Sequence, residues 1–462
     1  MTRGHASPGL AAPGSTAAGL SWVAIVRLGL VQAALGSIVV LTTSTLNRVM
    51  VVELSLAAMI PGLLVGLHYA VQIARPLWGH GSDVGGSRTG WILGGLALLA
   101  LAGTGAAATT FLFESSFWLG FAAAFVCYAL IGIGIGACGT SLLALLASRT
   151  APARRPAAAT IVWMMMIAGI VVTAIVTGQL LDPYSHARLV AITGATGALV
   201  FAIALVAVWR LERDAPALGA GEDRHERAAT ASPRAFRDSL AETWRDGEAR
   251  LFTLFVFVSM LAYSTQDLIL EPFGGLLFAM TPGETTQLSG VQHGGVLLGM
   301  ALVGIVGTLV ARRKPAILKL FIVAGCLGSA GALAALALSA AAAPAWPLKL
   351  NIFLLGLANG AFAVAAIGTM MALAGAGGGR REGIRMGVWG AAQAIAFGLG
   401  GFLGTVALDV ARATTGDTAL SFALVFSGEA VIFLASAAIA LRIGGRPGTA
   451  TDDAPVPLAP AE

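Results

Sequence analysis

Charge is scarce in this chain. Asp, Glu, Lys and Arg make up only 11% of its 462 residues, against roughly 25% in a soluble protein. So little charge cannot cover a water-facing surface. With 57% apolar residues and a mean hydropathy of +0.84, the expected fold is an all-α polytopic membrane protein. Cysteine is nearly missing. Cys127, Cys138 and Cys326 lie inside apolar runs at no metal-binding spacing, which argues against a disulfide framework, a zinc site, or any metal held by protein alone. Catalytic signatures are missing too. There is no Gly-rich phosphate loop ending in Gly-Lys-Ser/Thr, no HExxH, no GxSxG, no paired-cysteine motif and no aspartate-rich DxxxD motif. An enzyme is therefore not expected. The glycines at Gly132, Gly134 and Gly136 fall inside a span and read as close helix packing rather than nucleotide binding. Met1 to Gly19 lacks a basic stretch followed by an apolar core and cleavage site, so it reads as a tail rather than a signal peptide.

Long apolar runs dominate what is present. A crossing takes about 20 apolar residues. Runs over 22–46, 57–78, 91–112, 117–147, 158–180, 188–209, 251–271, 287–311, 316–339, 349–376, 386–410 and 419–442 predict twelve transmembrane helices. The expected organisation is a disordered tail over 1–20, a six-helix half over 21–210, a charged linker over 211–250, a second six-helix half over 251–443, and a disordered tail over 444–462. The linker includes an amphipathic stretch from Phe236 to Trp244. With the N-terminus in the cytoplasm, most of the 28 Lys and Arg fall on the cytoplasmic side, among them Arg88, Arg149, Arg154, Arg155, Lys319 and Arg442. Arg48, Arg188, Lys349 and Arg412 fall on the other side. This asymmetry predicts both termini inside. A net charge of +5 then meets anionic lipid head groups, and nucleic acid is not implied. The halves repeat: Arg154, Arg155 and Trp163 recur as Arg380, Arg381 and Trp389, and Arg88 recurs as Lys314 at the same offset.

Polar residues within or beside the spans are the functional candidates, since ionisable groups in hydrocarbon are expensive. Asn47, Arg48 and Glu53 lie at the outer end of the first span, either as a local polar network or as an ordinary charged helix end. Asp267 and Glu271 lie four residues apart and so share one helix face. Pro272, Gly274 and Gly275 are then expected to break that helix. The two carboxylates suit a proton-coupling pair, a gate or a partner contact, or else an outer-end cap at the head groups. His68 and His293 occupy nearly equivalent positions of the two halves. Neutral imidazole suits axial ligation of a chelated metal, and equally a hydrogen bond between helices.

The stretch Gly79–Arg88 reads G-x-x-x-D-x-x-G-x-R through Gly79, Asp83, Gly86 and Arg88. It resembles the loop between helices 2 and 3 of the major facilitator superfamily. The second copy keeps only its basic end, at Arg312, Arg313 and Lys314. A narrower resemblance rests on Thr45–Leu54, on the His68 span running into Gly79–Arg88, and on Leu270-Glu271-Pro272-Phe273-Gly274-Gly275. These resemble the PucC family, the bacteriochlorophyll delivery branch of the facilitators. They look most like its branch labelled "bacteriochlorophyll synthase 44.5 kDa chain", with PucC and LhaA as relatives. The resemblance implies a purple phototrophic bacterium and a place in its inner, cytoplasmic or intracytoplasmic photosynthetic, membrane. It implies a non-enzymatic assembly factor for light-harvesting complexes, with bacteriochlorophyll as cargo. Antenna polypeptides, membrane lipid and the enzymes of bacteriochlorophyll synthesis would be its partners. His68 and His293 are then candidate magnesium ligands of the pigment. Asn47, Arg48, Glu53, Asp267 and Glu271 would shape an outer gate or a partner surface. The competing expectation is a proton-coupled facilitator carrying a small lipophilic molecule.

Overall fold

The computed structural model describes residues 19–74, 87–151, 154–214, 244–310, 316–375 and 382–443. Gly79, Asp83 and Gly86 of the loop motif lie outside the described residues, as do Lys314, Arg380, Arg381, most of the linker and most of both tails.

The chain forms long helices in the order α1 (Trp22–Glu53), α2 (Met59–Ala74), α3 (Arg88–Ser115), α4 (Phe117–Arg149), α5 (Arg155–Leu181) and α6 (His186–Val208). The second set is α7 (Gly247–Phe278), α8 (Pro282–Val310), α9 (Ala316–Ala342), α10 (Leu348–Gly375), α11 (Glu382–Thr415) and α12 (Thr418–Arg442). Eleven are long and apolar enough to cross a membrane, and α2 is a shorter apolar helix. Polar residues mark the starts. Ser21, Ser87, Ser116, Ser185, Asp246 and Asp417 each accept from a backbone amide of the first helical turn. Such caps satisfy amides that have no partner inside the helix.

Packing repeats with a shift of six helices. In the first half α3 packs on α4 and α6, α1 on α5 and α6, and α2 on α4. In the second half α9 packs on α10 and α12, α7 on α11 and α12, and α8 on α10. Each half has its own apolar core, one built around Leu28, Leu96, Tyr128 and Leu142, the other around Phe252, Phe273, Phe362 and Phe426. The halves meet chiefly along α5 with α8 and along α2 with α11, pairings that the same shift interchanges. The symmetry belongs to the backbone and not to the side chains. Trp163 is 39% exposed, whereas its repeat partner Trp389 is 1% exposed and meets Phe252 edge-on at 4.8 Å.

Several boundaries differ from the sequence expectation. Leu20, expected in the tail, is buried, and its amide donates to the Arg149 carbonyl at 2.7 Å. Leu211, expected in the linker, packs into the first core. The first helix runs seven residues past the expected end at Leu46, through π-type turns at Leu41–Thr45 and Val49–Glu53. Asn47 and Arg48 are thereby interior residues, 0% and 2% exposed, rather than a charged helix end. The break in α7 also falls earlier than expected. It lies at Leu268–Ile269, and Pro272, Gly274 and Gly275 continue as helix within Leu270–Phe278. Proline is tolerated there because first-turn amides need no intrahelical acceptor.

Candidate functional site at the junction of the halves

The break in α7 and the polar turn of α1 complete each other. In an unbroken helix the Leu268 carbonyl would accept from the amide of residue 272, but that residue is proline and has none. Asn47 supplies the missing donor: its Nδ2 donates to the Leu268 oxygen at 2.6 Å. At the next residue, the Arg48 guanidinium pairs with Glu53 and donates to the Met280 carbonyl at 2.9 Å. Arg48 reaches α7 because residue 275 is glycine. A Cβ there would stand 3.2 Å from two guanidinium nitrogens and 3.1 Å from a Val52 methyl. Thr45 and Thr286 share a hydrogen bond of 3.0 Å between α1 and α8. The segments that carried the family resemblance thus touch. Asn47, Arg48 and Glu271 are buried, Asp267 is half-buried and Glu53 is exposed.

Two aspartates fasten the same end of the bundle. Asp182, after α5, accepts from the Gly283 amide at 3.1 Å and the Thr281 hydroxyl at 2.6 Å, at the start of α8. Asp409, in α11, accepts from the Ala58 and Met59 amides at 3.1 and 2.7 Å, at the start of α2. Each carboxylate meets the positive end of a helix in the opposite half. The repeat interchanges these clasps, since α5 corresponds to α11 and α8 to α2. Close by, Tyr184 bonds His186 Nδ1 at 3.0 Å, and His186 Nε2 meets Glu114 at 2.9 Å. Burial and the nearby Glu53 carboxylate push the Tyr184 hydroxyl well above its ordinary range.

Beneath the break, Asp267, Glu271, Ser289 and Gln292 line a small cavity closed by aliphatic side chains. The two carboxylates share this cavity although the helix between them is interrupted. Glu271 is 3% exposed, so it is no head-group cap. Gln292 donates to Asp267 at 3.5 Å. Both Glu271 oxygens lack a hydrogen-bond partner among the described residues. Glu429 of α12 is 2% exposed and in the same condition, within electrostatic range of Asp267. Sequence reasoning missed Glu429, although a lone glutamate in the last apolar run was a visible signal. It missed Asp182 and Asp409 as well, because acidic residues near span ends look unremarkable until their amide partners are known.

Among the described contacts, the two histidines do not meet. His68 of α2 is 1% exposed, with Nδ1 bonded to the Val65 carbonyl at 2.7 Å. Gly132 of α4 lies so close that a Cβ there would stand 2.6 Å from the His68 carbonyl oxygen. His68 is therefore enclosed as the helices stand. His293 of α8 is half-buried, and its Nδ1 lies 2.9 Å from the Ser289 carbonyl. That bond directs the free lone pair to Nε2, the arrangement usual for a metal-ligating histidine. Open space lies beside the neighbouring Gly294. Of the two, only His293 keeps partial exposure. Arg88, the described member of the loop motif, serves packing: its guanidinium donates to the Ala144 carbonyl at 2.7 Å, and its amide to Glu212 at 2.9 Å.

The fold is shared with solved transporters. A D-xylose–proton symporter superposes with a TM-score of 0.67 at 14% identity, covering 89% of this chain and 97% of its own. A bacterial homologue of the lysosomal transporter Spinster, inward-facing and occupied, gives 0.66 at 16% identity, covering 91% and 96%. The chain is an integral membrane protein of the major facilitator fold. Among sequences, the bacteriochlorophyll synthase 44.5 kDa chain of Rhodobacter capsulatus is 48% identical over 433 residues, 93% of this chain and 97% of that one. Protein PucC of Cereibacter sphaeroides is 28% identical, covering 81% of each chain. The profile of the PUCC protein family matches residues 45–447, so the match begins at the Thr45–Leu54 turn and takes in both halves, and the chain belongs to that family.

Proposed function

We propose that this protein is a non-enzymatic membrane factor for assembling photosynthetic light-harvesting complexes, and that it binds bacteriochlorophyll as cargo for antenna polypeptides. The observation that carries this reading is the 48% identity, over nearly the whole chain, to a relative named for bacteriochlorophyll. The "synthase" in that relative's name finds none of the catalytic motifs sought in this sequence. The gate at the α1–α7 contact is built from the residues that carry the PucC resemblance, which ties the reading to one place in the fold. His293, which keeps partial exposure, is the proposed magnesium ligand, and the buried His68 would join it only if its surroundings opened. The sealed end, with Arg48 and the two aspartate clasps, faces away from the cytoplasm in this reading, and both termini lie inside. Purification from a pigment-making host tests it. Bound bacteriochlorophyll in the absorption spectrum, or a co-purifying antenna polypeptide, is expected, and the absence of both rejects the reading.

A second reading has its own observation. Buried carboxylates without hydrogen-bond partners among the described residues, at Glu271 and Glu429, suit a proton-coupled facilitator for a small lipophilic molecule. It predicts flux driven by a proton gradient and lost in Glu271→Gln.

A further inference from the structure

The interior charges of the gate do not balance. Arg48 is taken by Glu53, at a contact where only Glu53 keeps appreciable exposure, 33% for its side chain. Asp267, Glu271 and Glu429 remain; among the described residues none forms an ion pair, and Arg48 acts on Glu271 only from beyond contact distance. An uncompensated charge at such depth is destabilising by several kcal/mol, so these groups bind something positive or take up protons.

The geometry around Glu271 distinguishes the two. Neither Glu271 oxygen has a partner that meets full hydrogen-bonding geometry, and the Ser289 hydroxyl approaches it as a donor, which suits the carboxylate form. Two carboxylates, a hydroxyl and a carboxamide converge on one cavity of about 10 Å³, measured as space for the centre of a water-sized sphere. That is room for one water or one ion of similar size. The donors are all hard oxygens, with no imidazole or thiolate, which disfavours zinc and copper. Calcium needs six to eight oxygens, and magnesium keeps several of its waters. The cavity offers four polar side chains, and aliphatic residues such as Leu288 and Ile352 form the rest of its wall.

We propose that Asp267, Glu271, Ser289 and Gln292 form a binding site for one monovalent cation of sodium size, set directly beneath the break in α7. Gln292 already donates to Asp267, which holds that carboxylate facing the cavity. The break sets Asp267 and Glu271 on separate helical segments that face one cavity. Bound there, the ion ties Gly247–Asp267 and Leu270–Phe278 to α8 and so braces the surface against which Asn47 and Arg48 seal the gate. The inference goes beyond both functional readings, since a structural or a coupling ion would occupy the same place.

The test is sodium binding to the purified full-length protein in detergent. Melting temperature is followed while sodium chloride replaces choline chloride at constant ionic strength, and radiolabelled sodium gives the stoichiometry. A saturable rise with one sodium per chain is expected. Glu271→Gln and Ser289→Ala should each raise the half-effect concentration at least about tenfold, as loss of a ligand does in metal sites. Equal curves in sodium and choline overturn the proposal, as do unchanged curves in both variants. Stabilisation by acid alone, without a sodium term, makes the occupant a proton and also overturns it. Should Glu271→Gln not fold, Ser289→Ala and Gln292→Leu decide the matter by the same readout.

Discussion

Asn47 donates to the Leu268 carbonyl at 2.6 Å, so a side chain of the first half completes a helix of the second. The acceptor is available because Pro272 has no amide to offer it. Asn47→Ala leaves a buried carbonyl without a donor, which destabilises by about 1–3 kcal/mol. Faster hydrogen exchange at Leu268–Leu270 and a lower melting temperature are the expected outcomes. Unchanged exchange there would show that the bond does not hold the break.

Gly275 lets Arg48 lie against α7. Gly275→Ala places a Cβ 3.2 Å from the guanidinium, a tight contact that the flexible arginine accommodates with small shifts. Gly275→Leu cannot be accommodated that way, and overpacking of this kind usually destabilises by about 1–3 kcal/mol. The leucine variant should melt lower than the alanine variant. Truncating the opposing methyls in Val52→Ala should recover part of the loss.

Asp182 and Asp409 clasp opposite halves through helix starts. Loss of one such carboxylate is worth about 1 kcal/mol. The two sites are separate, so the double variant Asp182→Ala with Asp409→Ala should lose about 2 kcal/mol of closure. Spin labels on cysteines introduced by Ser115→Cys and Ala345→Cys, both exposed at this end, report it. A longer interhalf distance should appear in the double variant and only weakly in each single one.

Tyr184 gives a pH dependence outside the membrane. Its hydroxyl is held protonated by burial and by Glu53 beyond the pH at which an unfolded tyrosine ionises, about 10. Above that pH the unfolded chain has lost the proton and the folded chain retains it, so stability falls as pH rises. Tyr184→Phe removes this contribution. Melting curves between pH 9 and 11 should show a shallower alkaline decline in the variant.

Glu429 is a buried carboxylate with no hydrogen-bond partner among the described residues. Glu429→Leu replaces it by an apolar side chain of similar size and should raise the melting temperature, as often follows removal of a buried charge. If the variant is more stable yet lowers antenna absorbance in cells, the carboxylate serves function at the expense of stability.

The membrane class, the helices and the six-plus-six repeat were legible in the sequence because apolar length, flanking basic residues and polar caps act locally. The candidate gate was half legible. Asn47, Arg48 and Glu271 stood out as polar residues in apolar surroundings, yet the sequence placed them at helix ends and put the break after Pro272. A proline's missing amide is felt four residues upstream, at Leu268, and only the fold shows which donor answers it. Arg88 shows the reverse case: a residue conspicuous by its motif turns out to hold helices α3 and α4 together.

Sequence alone determined that this chain lives in a bilayer and that its halves share one plan, since hydropathy and repeat spacing are properties of the linear order. Tertiary structure decided which polar groups meet. Asp182 and Asp409 became clasps, and Glu429 joined Asp267, because each outcome depends on contacts between segments more than a hundred residues apart, which no local pattern encodes.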